Sequence, residues 1–260
     1  MAEVVIVEQP DLAGRLIGRH IADSIRRQPS FTLGVATGST PLPVYGALAT
    51  EIEMGLDVSQ VSAFALDEYV GLPLGHPESY RSVVEREVTG PLGLDPALVH
   101  IPDGAEANVE TSGERFEALL SRHGGVDLQL LGIGSDGHVG FNEPGSSLAS
   151  RTRVKTLTEQ TRRDNARFFV GPDEVPTHCV TQGIGTILDA AHLVLLAFGA
   201  AKADALAAAV EGPVTSSLPA SCLQLHRHVT VVVDEPAAAE LTRAGYYRSV
   251  FANKPAWQGL

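Results

Sequence analysis

The sequence predicts an α/β fold: one domain built on a mostly parallel sheet with helices on both faces. Two observations carry that expectation. Short apolar runs alternate with segments of helical spacing along most of the chain. The runs are apolar at most positions rather than at every second one, the pattern of strands buried on both sides. A third observation sets the scale: 260 residues, 44% hydrophobic and 19% charged, supply one large core and exclude whole-chain disorder. One domain over 1–260 is expected.

Taken in order, strands are expected at 4–7, 31–36, 61–66, 128–133, 193–198 and 229–233. Helices are expected at 11–26, 41–54, 77–88, 109–123, 181–188 and 200–210, so that the repeating unit is strand then helix. The rhythm breaks at 134–176, whose glycine-containing start and arginine-rich middle predict a lid-like excursion above the sheet, partly helical and mobile.

Charge narrows the partners. Thirty-one acidic against 19 basic residues leave a net charge of -12, which repels nucleic acid and anionic lipid. The most apolar stretch, 192–210, is interrupted by His192, Lys202 and Asp204, so no bilayer crossing is expected. The start MAEVVIVEQP does not read as a secretory signal, and Cys179 and Cys222 form no CxxC pair. A cytoplasmic protein is expected.

Ligands of such sheets bind beyond the carboxyl ends of the strands, and three of those junctions carry chemistry. The first is Thr37, Gly38, Ser39, Thr40 and Pro41, where hydroxyls and backbone N–H groups at a helix start make an anion cradle. Thr40 is suited to cap that helix. The second is Asp67-Glu68, two adjacent carboxylates that serve as a turn or helix cap in one reading and supply a general base in the other. On an extended strand they point opposite ways, so at most one faces the ligand.

The third junction, GIGSDGHVGFNEP at 132–144, is the most specific. It places His138 between Asp136 and Glu143 on turns that glycine makes accessible, a set fit to orient an imidazole and favour its protonated form. The same three residues have the makings of a metal site, but acid/base work accounts for them and no metal is expected. A local charge of +4 over 151–167, and Lys202 in the first turn of a helix, favour an anionic substrate.

Together TGSTP at 37–41, LDEYVGL at 66–72, HPESY at 76–80, the 132–144 motif and SSLASRTRVKT at 146–156 resemble the glucosamine-6-phosphate deaminases. The likeness runs from about residue 33 to 236. It implies a modified Rossmann-like sheet, no cofactor, and conversion of glucosamine 6-phosphate to fructose 6-phosphate and ammonia. By the same resemblance Asp67 carries a proton between carbon 2 and carbon 1, and His138 assists ring opening with Asp136 and Glu143 holding it. Thr37 to Thr40, Arg167 and Lys202 hold the 6-phosphate. The family's regulated members are hexamers with an effector site, which Ser146, Arg153 and Lys155 match here. The stretch after Pro236 departs from the family pattern, so the resemblance supports the catalytic site more fully than the effector site. A 6-phosphogluconolactonase-type hydrolase and a non-catalytic sugar-phosphate sensor are the alternatives; Tyr69 and the 141–144 segment FNEP disfavour the first, and the complete acid/base set the second.

Overall fold

The computed structural model describes residues 3–260; Met1 and Ala2, the first two residues of the expected 1–260 domain, lie outside the described residues. Strands β1 (Glu3–Val7), β2 (Thr32–Val35), β3 (Ser62–Ala65), β5 (Val99–His100), β6 (Leu128–Leu131), β9 (His192–Ala197) and β10 (Val229–Asp234) form one sheet in the order β1-β10-β9-β6-β2-β3-β5. Every pairing in it is parallel. Helices α1 (Pro10–Arg27), α2 (Leu42–Glu53), α3 (Tyr80–Val84), α4 (Gly90–Leu92), α5 (Val109–Arg122), α6 (Glu159–Asn165), α7 (Ile184–Leu188), α8 (Ala203–Glu211) and α9 (Ala244–Ala252) connect or flank the strands. The helices lie on both sides of the sheet.

Burial explains why the apolar runs are strands. All residues of β2, β3, β6, β9 and β10 are buried, so neither face of these strands has a polar side to offer water. Removing a valine or leucine side chain from water contributes about 1.5–3 kcal/mol, and such residues predominate in β6, β9 and β10.

A second, smaller sheet was not legible from the apolar runs. Strands β4 (Asp67–Tyr69), β8 (His178–Thr181) and β7 (Arg153–Thr156) pair antiparallel in the order β4-β8-β7. The helix expected over 181–188 is therefore corrected. Thr181 ends β8, with its backbone committed to Asp67 and Arg153, and helix α7 starts only at Ile184 after Gly183. The 134–176 excursion carries β7 and α6, so its helical part was expected and its strand was not. Helix α9, in the stretch after Pro236, was not expected.

The expected cap on α2 also needs correction. Pro41 occupies the N-cap position and its carbonyl accepts the N–H groups of Val44 and Tyr45, so Thr40 lies before the helix and caps nothing. Helix α2 has another task. Its Tyr45 hydroxyl donates to Ala36 O at 2.7 Å and accepts from Ala36 N at 3.1 Å, locking the end of β2 just ahead of the 37–40 loop. Close packing of α1 keeps α2 in place: a Cβ added at Gly14 would overlap the Pro43 backbone carbonyl.

Replacement of Gly14 by alanine is expected to force α1 away from α2 and to destabilise the protein by about 1–3 kcal/mol, the usual cost of overpacking. Thermal denaturation checks this, with a lower Tm as the expected result.

Candidate functional site

Along the sheet, successive strands run β2, β3, β5 to one side and β6, β9, β10 to the other, so the chain switches direction between β2 and β6. Ligand crevices form at such switch points. The segments that follow β9, β6, β2 and β3, four neighbours in the sheet, meet around one cavity of about 310 Å³. Thr37, Gly38, Ser39, Thr40, Asp67, His138, Arg167 and Lys202 all line it.

The anion-binding side starts from the locked end of β2. Gly38 has φ 89°, a left-handed value that a side chain would strain, and it turns the 37–40 loop against the cavity. Lys202 ends a short turn, Ala200–Lys202, that leads into α8, and Arg167 sits in the turn after α6 with its guanidinium 4.7 Å from the Phe168 ring. Burial lowers the pKa of Lys202, and Asp164 opposes that while Arg167 adds to it. Among the described residues neither cation forms an ion pair, so an anion between them would satisfy both.

The acid/base side is built from three strands. Past β3 the chain leaves the parallel sheet, with Leu66 O accepting from Gln182 N at 2.7 Å, and Asp67 opens β4 in the second sheet. Its carboxyl is buried, and that burial, followed by the neighbouring Glu68 charge, raises its pKa to about 8. A carboxylic acid that loses its proton near neutral pH is matched to general base work.

After β6 the 132–144 segment closes on itself. Gly134 N donates to His138 O, Gly137 N to Gly134 O, and Ala220 N to Gly137 O, with Gly137 and Gly140 at φ 82° and 56°. Asp136 Oδ1 takes the His138 backbone N–H at 3.1 Å and meets its ring Nδ1 at 2.6 Å. That contact, first among the causes, holds the Asp136 pKa down to about 2. Asp136 therefore stays ionised and fixes the ring orientation, leaving Nε2 for the cavity.

Glu143 stands behind this pair. Its Oε1 accepts from Thr161 Oγ1 at 2.6 Å and Thr158 Oγ1 at 3.3 Å, while Oε2 is buried with no hydrogen-bond partner among the described residues. Asp136, His138 and Glu143 offer atoms within 4.8 Å of one another, close enough to hold a metal ion. Asp136 Oδ1 is engaged by His138 and Glu143 Oε1 by Thr161.

The residues matched to an effector site do not line this cavity. Ser146 is buried, its hydroxyl without a hydrogen-bond partner among the described residues, and Arg153 Nη1 donates to Asn142 Oδ1 at 2.7 Å. Lys155 shares a face of β7 with Arg153. The arginine thus reaches inward to the His138 loop, where Asn142 also donates to Val139 O and Gln182 O.

Sequence reasoning missed an aromatic wall. Tyr69, Tyr80, Phe141 and Phe169 line the cavity together, with Tyr80 stacked 5.9 Å from Phe141 and tilted 4.9 Å from Tyr69. Only 5% of the chain is aromatic, so the gathering of Tyr69, Tyr80 and Phe141 inside the chemically loaded motifs was the available signal. Thr158 and Thr161, which hold Glu143, carried none.

The model of the family described as glucosamine-6-phosphate isomerases/6-phosphogluconolactonase matches residues 10–232. A glucosamine-6-phosphate deaminase of Streptomyces coelicolor is 61% identical over 260 residues, covering 99% of this chain and 100% of the relative. One from Bifidobacterium longum is 55% identical over 272 residues, with 100% of both chains covered. Among solved structures, a glucosamine-6-phosphate deaminase described as monomeric superposes with a TM-score of 0.89 at 39% identity, over 92% of this chain and 100% of that one. The 6-phosphogluconolactonase of Trypanosoma brucei shares the fold at a TM-score of 0.76 and 20% identity, over 93% and 99%.

Two outcomes follow from this geometry. A Cβ at Gly134 would overlap the His138 imidazole, so Gly134→Ala is expected to cut turnover by about 100-fold, the scale of an ångström misplacement, as steady-state kinetics would measure. Because the Asp67 pKa is raised on folding, the native state binds its proton more tightly between pH 3.8 and about 8, and stability falls across that window as pH rises. Asp67→Asn removes the buried charge, and its Tm at pH 8 is expected to exceed that of the parent by several degrees in calorimetry.

Proposed function

The chain belongs to the glucosamine-6-phosphate isomerase/6-phosphogluconolactonase family, and from that premise we propose that it converts glucosamine 6-phosphate to fructose 6-phosphate and ammonia. The observation that carries the proposal is the meeting of a buried carboxyl, whose proton is exchangeable near neutrality, with an Asp-oriented imidazole and two cations that form no ion pair among the described residues, around one cavity. That combination suits moving a proton between carbons of a phosphorylated sugar.

In the proposed mechanism the 6-phosphate rests against Thr37, Gly38, Ser39, Thr40, Arg167 and Lys202, which anchor the sugar away from its reacting end. His138, held by Asp136 and backed by Glu143, passes the proton of the anomeric hydroxyl to the ring oxygen and opens the ring. The resulting aldehyde acidifies carbon 2. Asp67 takes the carbon 2 proton, leaving an enolaminate with its charge on oxygen 1, and returns that proton to carbon 1; the iminium so formed passes a nitrogen proton to oxygen 1, giving the neutral ketose imine. Water adds to that imine and ammonia departs, so the net reaction consumes one water. These steps use the chain's own residues and water.

The full chain is proposed to act as one catalytic domain in the cytoplasm, where the two buried free cysteines remain reduced. No helix of the described residues is long and apolar enough to cross a membrane. A homo-oligomer is proposed from the likeness of 146–156 to the regulated members, with Ser146, Arg153 and Lys155 serving a second sugar phosphate. Sedimentation velocity with and without N-acetylglucosamine 6-phosphate tests both: a single monomeric species unaffected by that compound contradicts them.

Incubation with glucosamine 6-phosphate is expected to release ammonia and fructose 6-phosphate in equal amounts, and kcat/KM is expected to rise with pH through about 8 as Asp67 ionises. Asp67→Asn is expected to lose at least about 1000-fold in kcat, within the range of general base catalysis. Hydrolysis of 6-phosphogluconolactone with no ammonia from the amino sugar would overturn the proposal.

A further inference from the structure

Only one of the two buried carboxylates in β4 faces the cavity. Asp67 lines it, and Glu68, the next residue on an extended strand, turns to the other side. There Glu68 Oε1 accepts from Tyr69 N at 2.8 Å and Tyr80 N at 2.9 Å, and Oε2 accepts from Arg81 N at 2.9 Å. The backbone at Gly104 closes over its stem, since a Cβ there would overlap Tyr69 O and crowd Glu68 Cγ.

Glu68 takes the N–H groups of Tyr80 and Arg81, the first two residues of α3. Ser79 already caps that helix, its side chain accepting from Ser82 N. Two of the three bonds of Glu68 tie the first residues of α3 to β4, the third going to Tyr69 N within β4, and the first of those helix residues is Tyr80, whose ring lies on Phe141 and Tyr69 in the cavity wall. A neutral side chain would satisfy fewer of these N–H groups and place no charge beside the base.

We propose that Glu68 is a positioning residue for the reaction proposed above: it pins Tyr80 into the cavity wall and holds a negative charge beside Asp67. The inference rests on that reading of the site. Among the causes that raise the Asp67 pKa, the Glu68 charge comes second after burial. Burial raises the Glu68 pKa too, and the three N–H bonds together with the Arg81 charge oppose it. The other titratable groups set against the pair are Tyr69 from β4, Tyr80 from α3 and Cys179 from β8, and burial pushes all three upward, so they stay neutral over the working range. Glu68 is thus the charge whose removal changes what Asp67 experiences.

The test compares the pH dependence of kcat and kcat/KM for glucosamine 6-phosphate in the parent, Glu68→Gln and Glu68→Asp. Glu68→Gln is expected to move the rising limb toward lower pH by on the order of half a unit and to lower kcat roughly tenfold. Glu68→Asp keeps the charge but shortens the reach, so its limb is expected to stay at the parental pH while kcat falls. A rising limb unmoved in folded Glu68→Gln overturns the inference, and so does Glu68→Asp with parental kcat, which serves even where Glu68→Gln does not fold. A parent enzyme inert toward glucosamine 6-phosphate would instead overturn the proposed function.

Discussion

Desolvation of the Asp67 carboxyl is the constraint on which the rest of the site depends. The residue stands where the chain steps from the parallel sheet into the antiparallel one, with Leu66 O bonded to Gln182 N on one side and Thr181 as its strand partner on the other. A carboxylate in that position has exchanged water for neighbours that offer it no formal cation. The energetic cost is borne by the two cores: the large one built on the seven-stranded sheet, and the smaller one of Tyr69, Phe141, Leu157, Val175 and Cys179. Function here is destabilising locally, and the surrounding burial offsets it.

The rest of the architecture can be understood as holding other groups in register with that carboxyl. Tyr45 fixes the end of β2, so the anion cradle cannot drift. The glycines of the 132–144 loop let His138 and Asp136 turn back on each other, and Phe141 N is tied to Thr181 Oγ1, the residue opposite Asp67. A Cβ at Gly140 would come within 3.5 Å of Asp67 Oδ2, so the histidine loop packs directly on that carboxyl. Two segments distant in sequence are thereby made mutually dependent in geometry. Arg153 extends this dependence outward, because its bond to Asn142 links β7 to the same loop.

Much of this was legible in the sequence, for identifiable reasons. Six strands of the parallel sheet announced themselves because strands buried on both faces are mostly apolar, and the loaded junctions followed because the candidate groups lie just past strand ends. The second sheet was hidden for the opposite reason. β4 has three residues, two of them acidic, and β7 is the charged segment Arg153–Thr156 with alternating exposure. Neither has an apolar run to detect. Strand β8 ends where a helical spacing was read, and Thr40 looked like a cap because its type fits one, although the carbonyl of Pro41 starts the helix. The aromatic wall and the threonines behind Glu143 depend on tertiary contacts across segments, which no local pattern encodes.

The most direct test of the account is a measurement of the Asp67 proton itself. Carbon-13 NMR of aspartate carboxyl groups, titrated in the parent and assigned by the resonance missing from Asp67→Asn, reads that group without assuming any reaction. The account predicts a carboxyl that titrates at about 8. Titration in the ordinary aspartate range, near 4, would contradict it, since the carboxyl would then be neither desolvated nor poised to exchange a proton at neutral pH.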